Sequence, residues 1–474
     1  MDRSVAQGPG ADPRDDLDPR LARRLALLAG VLLALAAAAI YLATRVDRDY
    51  DHFVWQAAAF LEGQAAIRYP VAATATSAGN AWFQDVLPVV TADGVPRALL
   101  PFPPLPAVVL LPFVAVFGLA TDSQTIFTLL AAVDVAICWW AMGRLEIDVV
   151  VRLAVTVFFA FGTVFWYTGQ LATTWYQAHI LAVGLTFLAI GLALHEGSTA
   201  SAARTRTVRV LALAPRQVAA GLLLGLAATA RLPVILGWPF FAFVGPGGSV
   251  RRRAWSSAVG AAIPLIALLV YTQLSTGHLI SPAYDALYRV ETAAYPALGY
   301  HADWSIEDLR YIPQNLPIAL FGLPSILPSV ITDGLGIHAT TVCTLPNATR
   351  GLFDVACPVA VPRDIGMSVI LTSPAYLLAI PVLPRFGRDR IVTGAVLAVV
   401  LIAVVDLMHF SQGWVQFGYR FSDDAAPFAL VLVALGMARL VERRTWGMRL
   451  AMALVVVSIA VNAWGVAWSR LLGW

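Results

Sequence analysis

The chain has 474 residues; 59% are hydrophobic, only 13% are charged, and the formal net charge is +3. Soluble globular proteins carry about 25% charged residues, so this composition excludes a water-soluble fold for most of the chain. The basic residues are all Arg, in short clusters that membrane topology explains, and nothing in them points to nucleic acid.

In chain order, residues 1–24 read as a cytoplasmic tail whose Asp, Arg, Gly and Pro favour disorder. Residues 25–474 read as a single transmembrane domain. Apolar runs at 25–44, 125–140, 150–166, 178–194, 218–230, 232–244, 254–272, 366–383, 391–408, 425–437 and 450–468 predict about eleven spanning helices, because a backbone in lipid must satisfy its own hydrogen bonds. Two further runs are interrupted by proline: 105–120 by Pro106 and Pro112, and 316–331 by Pro317, Pro324 and Pro328. With the N-terminus inside, eleven spans place 21 of the 32 arginines on the inner side, as the positive-inside rule expects. Letting only one of the interrupted runs span would invert the loops beyond it and spoil that match. Both are therefore expected as re-entrant or surface-lying helices. The same count leaves two large polar loops outside, at about 45–104 and 273–365. The expected class is an all-α polytopic membrane protein.

The first loop opens with Asp47-Arg48-Asp49-Tyr50-Asp51-His52. Phe53, Ala57, Phe60 and Leu61 then recur at helical spacing and Gly63 offers a stop, which predicts a helix lying on the membrane surface. Two readings of its carboxylates stay open. They form a solvated turn that caps the helix, or they form a site at the water–lipid boundary. There Asp49 or Asp51 would take a proton from an acceptor hydroxyl, or the pair would hold a divalent metal, Mg or Mn, through oxygen ligands. Further along come Trp82-Phe83-Gln84-Asp85, a turn at Asp93-Gly94 before Arg97, and Pro101-Phe102-Pro103-Pro104-Leu105-Pro106, a stiff segment entering a helix.

Only Asp134, His179 and Asp406 sit within or near the ends of spans, where helix–helix hydrogen bonding accounts for them. Polar residues gathered outside the bilayer rather than within it weigh against a transporter. Arg231 and Arg420 stand on the outer side against the charge rule. A phosphate is one natural partner for them; an ion pair with Asp423 or Asp424 is the other. Trp175, Trp414 and Tyr419 suit either an interfacial aromatic belt or stacking on a sugar. Cys343 and Cys357 share the second loop, where an oxidising compartment would permit a disulfide, and Cys138 reads as a small apolar filler. Asn347-Ala348-Thr349 fits a glycosylation sequon.

In their order these pieces resemble the GT-C membrane glycosyltransferases, in particular bacterial proteins related to protein mannosyltransferases and aminoarabinose transferases. The matching stretches are Asp49-Tyr50-Asp51-His52-Phe53 with Gly63, Pro101 to Ala107, and the Gly221 and Gly225 helix ending in Arg231-Leu232-Pro233. Gly366-Met367-Ser368 through Thr372-Ser373-Pro374, and Gly418-Tyr419-Arg420-Phe421 with Pro427, complete the series. The resemblance implies a GT-C-like bundle in the bacterial cytoplasmic membrane that uses a polyprenyl-phosphate-linked sugar on the outer face. It implies a glycan, lipid or protein acceptor in the cell envelope. By position the base or metal ligand would be Asp49 or Asp51, with His52 beside them, and the lipid phosphate would meet Arg231 and Arg420. Asp85, Arg97, Trp414, Gln416 and Tyr419 are the further substrate-binding candidates. The acidic stretch departs from the Asp-Glu pair of protein mannosyltransferases. Two other functions compete: a transporter or flippase of lipid-linked saccharide, and a non-catalytic scaffold for envelope assembly.

Overall fold

Asp18 accepts the backbone N–H of Arg20 at 2.9 Å and Pro19 opens the first turn, so helix α1 starts cleanly and runs Pro19–Thr44. The computed structural model describes residues 18–48, 50–68, 85–90, 94–194, 213–286, 301, 303–332, 339–413 and 415–474. Most of the expected N-terminal tail lies outside them. After α1 come α2 (His52–Leu61), an antiparallel hairpin of β1 (Leu87–Val90) and β2 (Pro96–Leu99), and α3 (Leu105–Phe117). Then follow α4 (Ser123–Met142), α5 (Val149–Gly162), α6 (Phe165–Leu171), α7 (Thr174–Ala193), α8 (Pro215–Ala228), α9 (Trp238–Phe243) and α10 (Val250–Thr276). The second loop carries α11 (Ile312–Phe321) and four strands, β3 (Ser325–Ile326), β4 (Val330–Thr332), β5 (Ala339–Thr341) and β6 (Ala360–Val361), paired β3 with β6 and β4 with β5. The chain ends with α12 (Val369–Thr372), a 3-10 stretch Pro374–Arg385, α13 (Arg390–Met408), α14 (Ser422–Arg443) and α15 (Gly447–Leu472).

Seven of these helices are long and apolar enough to cross a membrane: α1, α4, α7, α10, α13, α14 and α15. α5 and α6 meet at a 54° bend and make an eighth if they act as one span. This is a mostly helical polytopic membrane protein, with fewer continuous spans than the eleven apolar runs predict. Proline explains much of the difference. The run at 232–244 folds as a 3-10 segment, Leu232–Gly237, followed by the six-residue α9, with Pro233 and Pro239 in their first turns. The run at 366–383 divides into the four-residue α12 and the 3-10 stretch, which contains Pro381 and Pro384; each proline withholds an N–H donor from a continuous α-helix. α8 is regular, but its 14 residues rise about 21 Å, short of a ~30 Å hydrocarbon core. The two proline-interrupted runs also resolve. The first is α3 plus a 3-10 turn, Gly118–Ala120. The second stops being helical at Gly322 and continues as strands.

α7 and α14 are the most enclosed of the long helices and form the middle of the bundle. α1 is the least enclosed, and Leu27 and Leu35 on it, Ile263 and Ile266 on α10, and Val456 on α15 are exposed. A belt this apolar suits lipid and would be a liability in water. α8 and α10 touch backbone to backbone: a methyl at Gly221 would lie 2.0 Å from the Ser257 carbonyl oxygen, and one at Gly260 2.0 Å from that of Val218. Small residues at such positions are what lets two helices approach closely in a membrane.

The loops are built onto one end of this bundle by specific contacts. α2 packs on α3, with the Phe53 and Phe102 rings 6.3 Å apart. Gly63 takes the left-handed conformation (φ +70°) that ends α2. In the second loop Cys343 and Cys357 form a disulfide, and the Trp468 indole N–H of α15 donates to the Leu352 carbonyl at 3.2 Å.

Candidate functional site

A cavity of about 1080 Å³ lies between the two loops and the ends of the helices. Its apolar wall comes from Pro101–Pro104 (residues 101–104), Leu232, and Leu265, Leu268 and Leu269 of α10. Its polar wall gathers Arg48, Tyr50, Asp85, Trp175, Tyr176, His179, Arg231, Tyr284, Asp285, Glu307, Asp406, His409 and Arg420. Distant parts of the sequence therefore meet here: the first loop, α7, the end of α8, the second loop, and the segment between α13 and α14.

Phe421, at the start of α14, is the hub of the polar wall. The guanidinium carbon of Arg231 is 5.1 Å from its ring centre and that of Arg420 5.5 Å. The imidazoles of His409 and His179 lie 5.6 and 6.1 Å from it. The two arginines differ in their partners. Arg231 donates to both carboxylate oxygens of Asp424, its Nη2 at 2.6 Å and its Nε at 3.0 and 3.2 Å. The Asp406 carboxylate is 3.9 Å from the same Nη2. Asp424 is fully enclosed and also holds Nδ1 of His179 at 2.8 Å. Burial opposes charge on Arg231, but Asp424 and Asp406 outweigh it and raise the pKa above the ordinary arginine value.

Arg420 is only 9% exposed, yet no carboxylate among the described residues pairs with it, and its Nε has no hydrogen-bond partner. Its guanidinium faces the Tyr176 ring at 5.2 Å. The backbone holds it there: Gln416 Oε1 accepts the Arg420 N–H at 2.8 Å, and the Gln416 amide donates to the Ile365 carbonyl at 3.2 Å. Gly413 (φ +88°) brings the chain so close that a methyl there would lie 2.9 Å from Arg420 Nε. Neighbouring Asp423 does not neutralise Arg420; it accepts the Thr168 hydroxyl at 2.6 Å.

The sequence-derived candidates separate into groups. Asp85, Arg231 and Arg420 reach the cavity. Asp85 has a left-handed backbone (φ +59°) and accepts the Trp175 indole N–H at 2.7 Å. Asp51 sits at the start of α2, off the cavity wall, and accepts a hydrogen bond from the Ser123 hydroxyl at 3.4 Å. His52 is buried with Nδ1 3.1 Å from the Thr174 hydroxyl. Arg97 is buried in β2, opposite Val89. Gln416 and Tyr419 are buried in the packing that carries Arg420. Asp49 and Trp414 lie outside the described residues. Asp134 packs against Gly184 of α7 and lies off the cavity wall, whereas His179 and Asp406 are on it. Among the described residues no three His, Cys, Asp or Glu side chains group as metal ligands. Of the expected metal-binding pair, Asp49 lies outside the described residues and Asp51 is described.

Sequence reading passed over Glu307, Tyr284 and His409. His409 follows α13 and is fastened from two sides. Phe410 N–H donates to the Ile306 carbonyl at 2.9 Å and Asp308 N–H to that of Met408 at 2.8 Å, tying the second loop to the end of α13. Buried Asn315 of α11 donates to the carbonyls of Leu407 and His409 at 2.9 and 2.6 Å. No family model matches the chain, and neither does any curated protein or solved structure.

Proposed function

We propose that the protein is a glycosyltransferase of GT-C-like architecture. It moves a sugar from a polyprenyl-phosphate donor to an acceptor hydroxyl on the outer face of the bacterial cytoplasmic membrane, with the N-terminus and the arginine-rich loops inside. The observation that carries this reading is Arg420, a buried guanidinium in a cavity wall with no protein counter-ion among the described residues. Leaving a charge in such a place costs several kcal/mol, and an anionic ligand removes that cost. A phosphate oxygen is the geometric match for a guanidinium. The facing apolar wall of α10 and the Pro101–Pro104 segment (residues 101–104) suits the lipid chain to which the phosphate is attached.

In this reading the donor phosphate sits at Arg420, with Arg231 alongside. The acceptor oxygen attacks the anomeric carbon, the bond to the phosphate oxygen breaks, and the electron pair leaves on the phosphate. Arg420 then stabilises the charge that grows there. The Asp85–Trp175 pair supplies a carboxylate and an aromatic face of the kind that binds sugar hydroxyls and ring faces.

The test is sugar transfer by the purified protein in detergent, from a panel of undecaprenyl-phosphate-linked sugars, with Arg420→Ala and Asp85→Asn alongside. Transfer that falls at least about tenfold in Arg420→Ala, the loss of one charged hydrogen bond, supports the proposal. Absence of both transfer and saturable undecaprenyl-phosphate binding overturns it.

A further inference from the structure

Glu307, Tyr284 and His409 line the same cavity as the two arginines, yet none is needed to bind a phosphate. We infer that His409 is the group that takes the proton from the acceptor hydroxyl, with Glu307 and Tyr284 setting its tautomer and orientation. This inference rests on the glycosyl-transfer reading and deepens it.

The imidazole is held at both nitrogens. Nδ1 lies 3.4 Å from a Glu307 carboxylate oxygen, and Nε2 lies 3.2 Å from the Tyr284 hydroxyl. A carboxylate at Nδ1 favours the tautomer that carries its proton there, which leaves the lone pair on Nε2 to accept from Tyr284. That nitrogen is therefore the basic one, and it is already engaged with a hydroxyl, the functional group of the proposed acceptor. The ring is fixed as well. It packs against Phe410 at 4.8 Å and against Phe421 at 5.6 Å, the ring against which the cationic side of the cavity lies. The second-loop segment that carries Glu307 is bridged to His409 backbone to backbone.

The charged and titratable groups around it come from every neighbouring element: Glu307 and Tyr284 from the second loop, Asp406 from α13, Arg231 after α8, Arg420 before α14, and His179 from α7 across Phe421. Burial, together with Arg231 and Arg420, pushes the imidazolium form down, and Glu307 only partly offsets this. This lowering favours the neutral imidazole, the form that can accept a proton. In the step, the acceptor O–H proton moves to Nε2, displacing the Tyr284 contact. The acceptor oxygen bonds to the anomeric carbon, and the phosphate leaves with the electron pair of the broken carbon–oxygen bond. Imidazolium is left beside the Glu307 carboxylate, which stabilises it as the proton arrives.

The experiment measures undecaprenyl-phosphate affinity and the pH dependence of sugar transfer from the same donor panel, for the wild type, His409→Gln and Glu307→Gln. His409→Gln is expected to keep the wild-type affinity for undecaprenyl phosphate and to lower kcat about 10²-fold, the lower end of general-base contributions. It is also expected to abolish the acid limb of the pH profile. Glu307→Gln, at a half-exposed position that folding tolerates, is expected to move that limb to lower pH while preserving affinity. A merely structural His409 would lower affinity and kcat together at every pH, and that result overturns the inference. So does a wild-type acid limb that persists in His409→Gln; the transfer reading would then stand with a base elsewhere. Binding without transfer for the whole panel removes the inference and leaves the anion site. Absence of both binding and transfer removes the inference together with the reading beneath it.

Discussion

Arg231 and Arg420 lie against the same ring, within half an ångström of equal distance from the centre of Phe421, and stand in opposite electrostatic situations. On the Arg231 side the fold supplies its own counter-charges: Asp424 bridges Arg231 and His179, and Asp406 stands behind. On the Arg420 side it supplies aromatic rings and a hydrogen-bonded backbone but no carboxylate among the described residues. The comparison teaches that two arginines, alike by sequence, divide into one paired with carboxylates of α13 and α14 and one with no carboxylate partner among the described residues.

The strongest way to break the comparison is to remove the counter-charge of the closed side. Asp424→Ala strands a guanidinium and loosens His179, and is expected to cost about 3–5 kcal/mol. Thermal unfolding in detergent reads this as the largest fall in Tm of any variant discussed. Adding Arg231→Ala is expected to restore part of the loss, a coupling that independent residues would not show. A smaller effect belongs to the open side. Gly413→Ala places a side chain in a left-handed backbone (φ +88°) and against Arg420. It is expected to cost about 1–2 kcal/mol and to weaken anion binding although every charge is retained. If affinity holds, the placement of Arg420 by its glycine neighbour is unimportant.

Arg420→Met has the opposite sign. Removing a buried cation that no carboxylate among the described residues pairs with is expected to raise stability of the ligand-free protein by about 1 kcal/mol, even after loss of its cation–π contacts. The smallest effect is with pH. His409 has its pKa lowered by burial, so its contribution to stability is present above its unfolded value of about 6.5 and fades as pH falls through the lower folded value. Melting curves for the wild type and His409→Gln are expected to coincide at pH 7–8 and to separate in acid, the wild type losing more. Curves that separate instead above pH 7 would contradict a neutral imidazole.

The membrane helices were legible because α1, α4, α7, α10 and α13 to α15 are set by long apolar runs with caps such as Asp18, Asp122 and Asp389. Apolarity alone does not report proline geometry, so 232–244 and 366–383 read as spans although they fold as short helices and 3-10 turns. Arg231 and Arg420 were legible as charges out of place. Which of them is paired was not, because Asp424 lies 193 residues from Arg231 in the chain and only the packing of the Leu232–Gly237 segment, which Arg231 opens, against α14 decides it. His409, Glu307 and Tyr284 carry no motif. Their signal was three polar residues at unrelated positions, and it becomes a site only when the second loop is bridged to the end of α13.

The most direct test of the central claim pairs two melting curves, the wild type and Arg420→Met, each with and without saturating undecaprenyl phosphate. If Arg420 is an anion site left open by the fold, the ligand raises the Tm of the wild type. Arg420→Met then melts higher than the wild type without ligand and gains little from it. An Arg420→Met protein that melts lower without ligand, and is stabilised by undecaprenyl phosphate as much as the wild type, would contradict the claim.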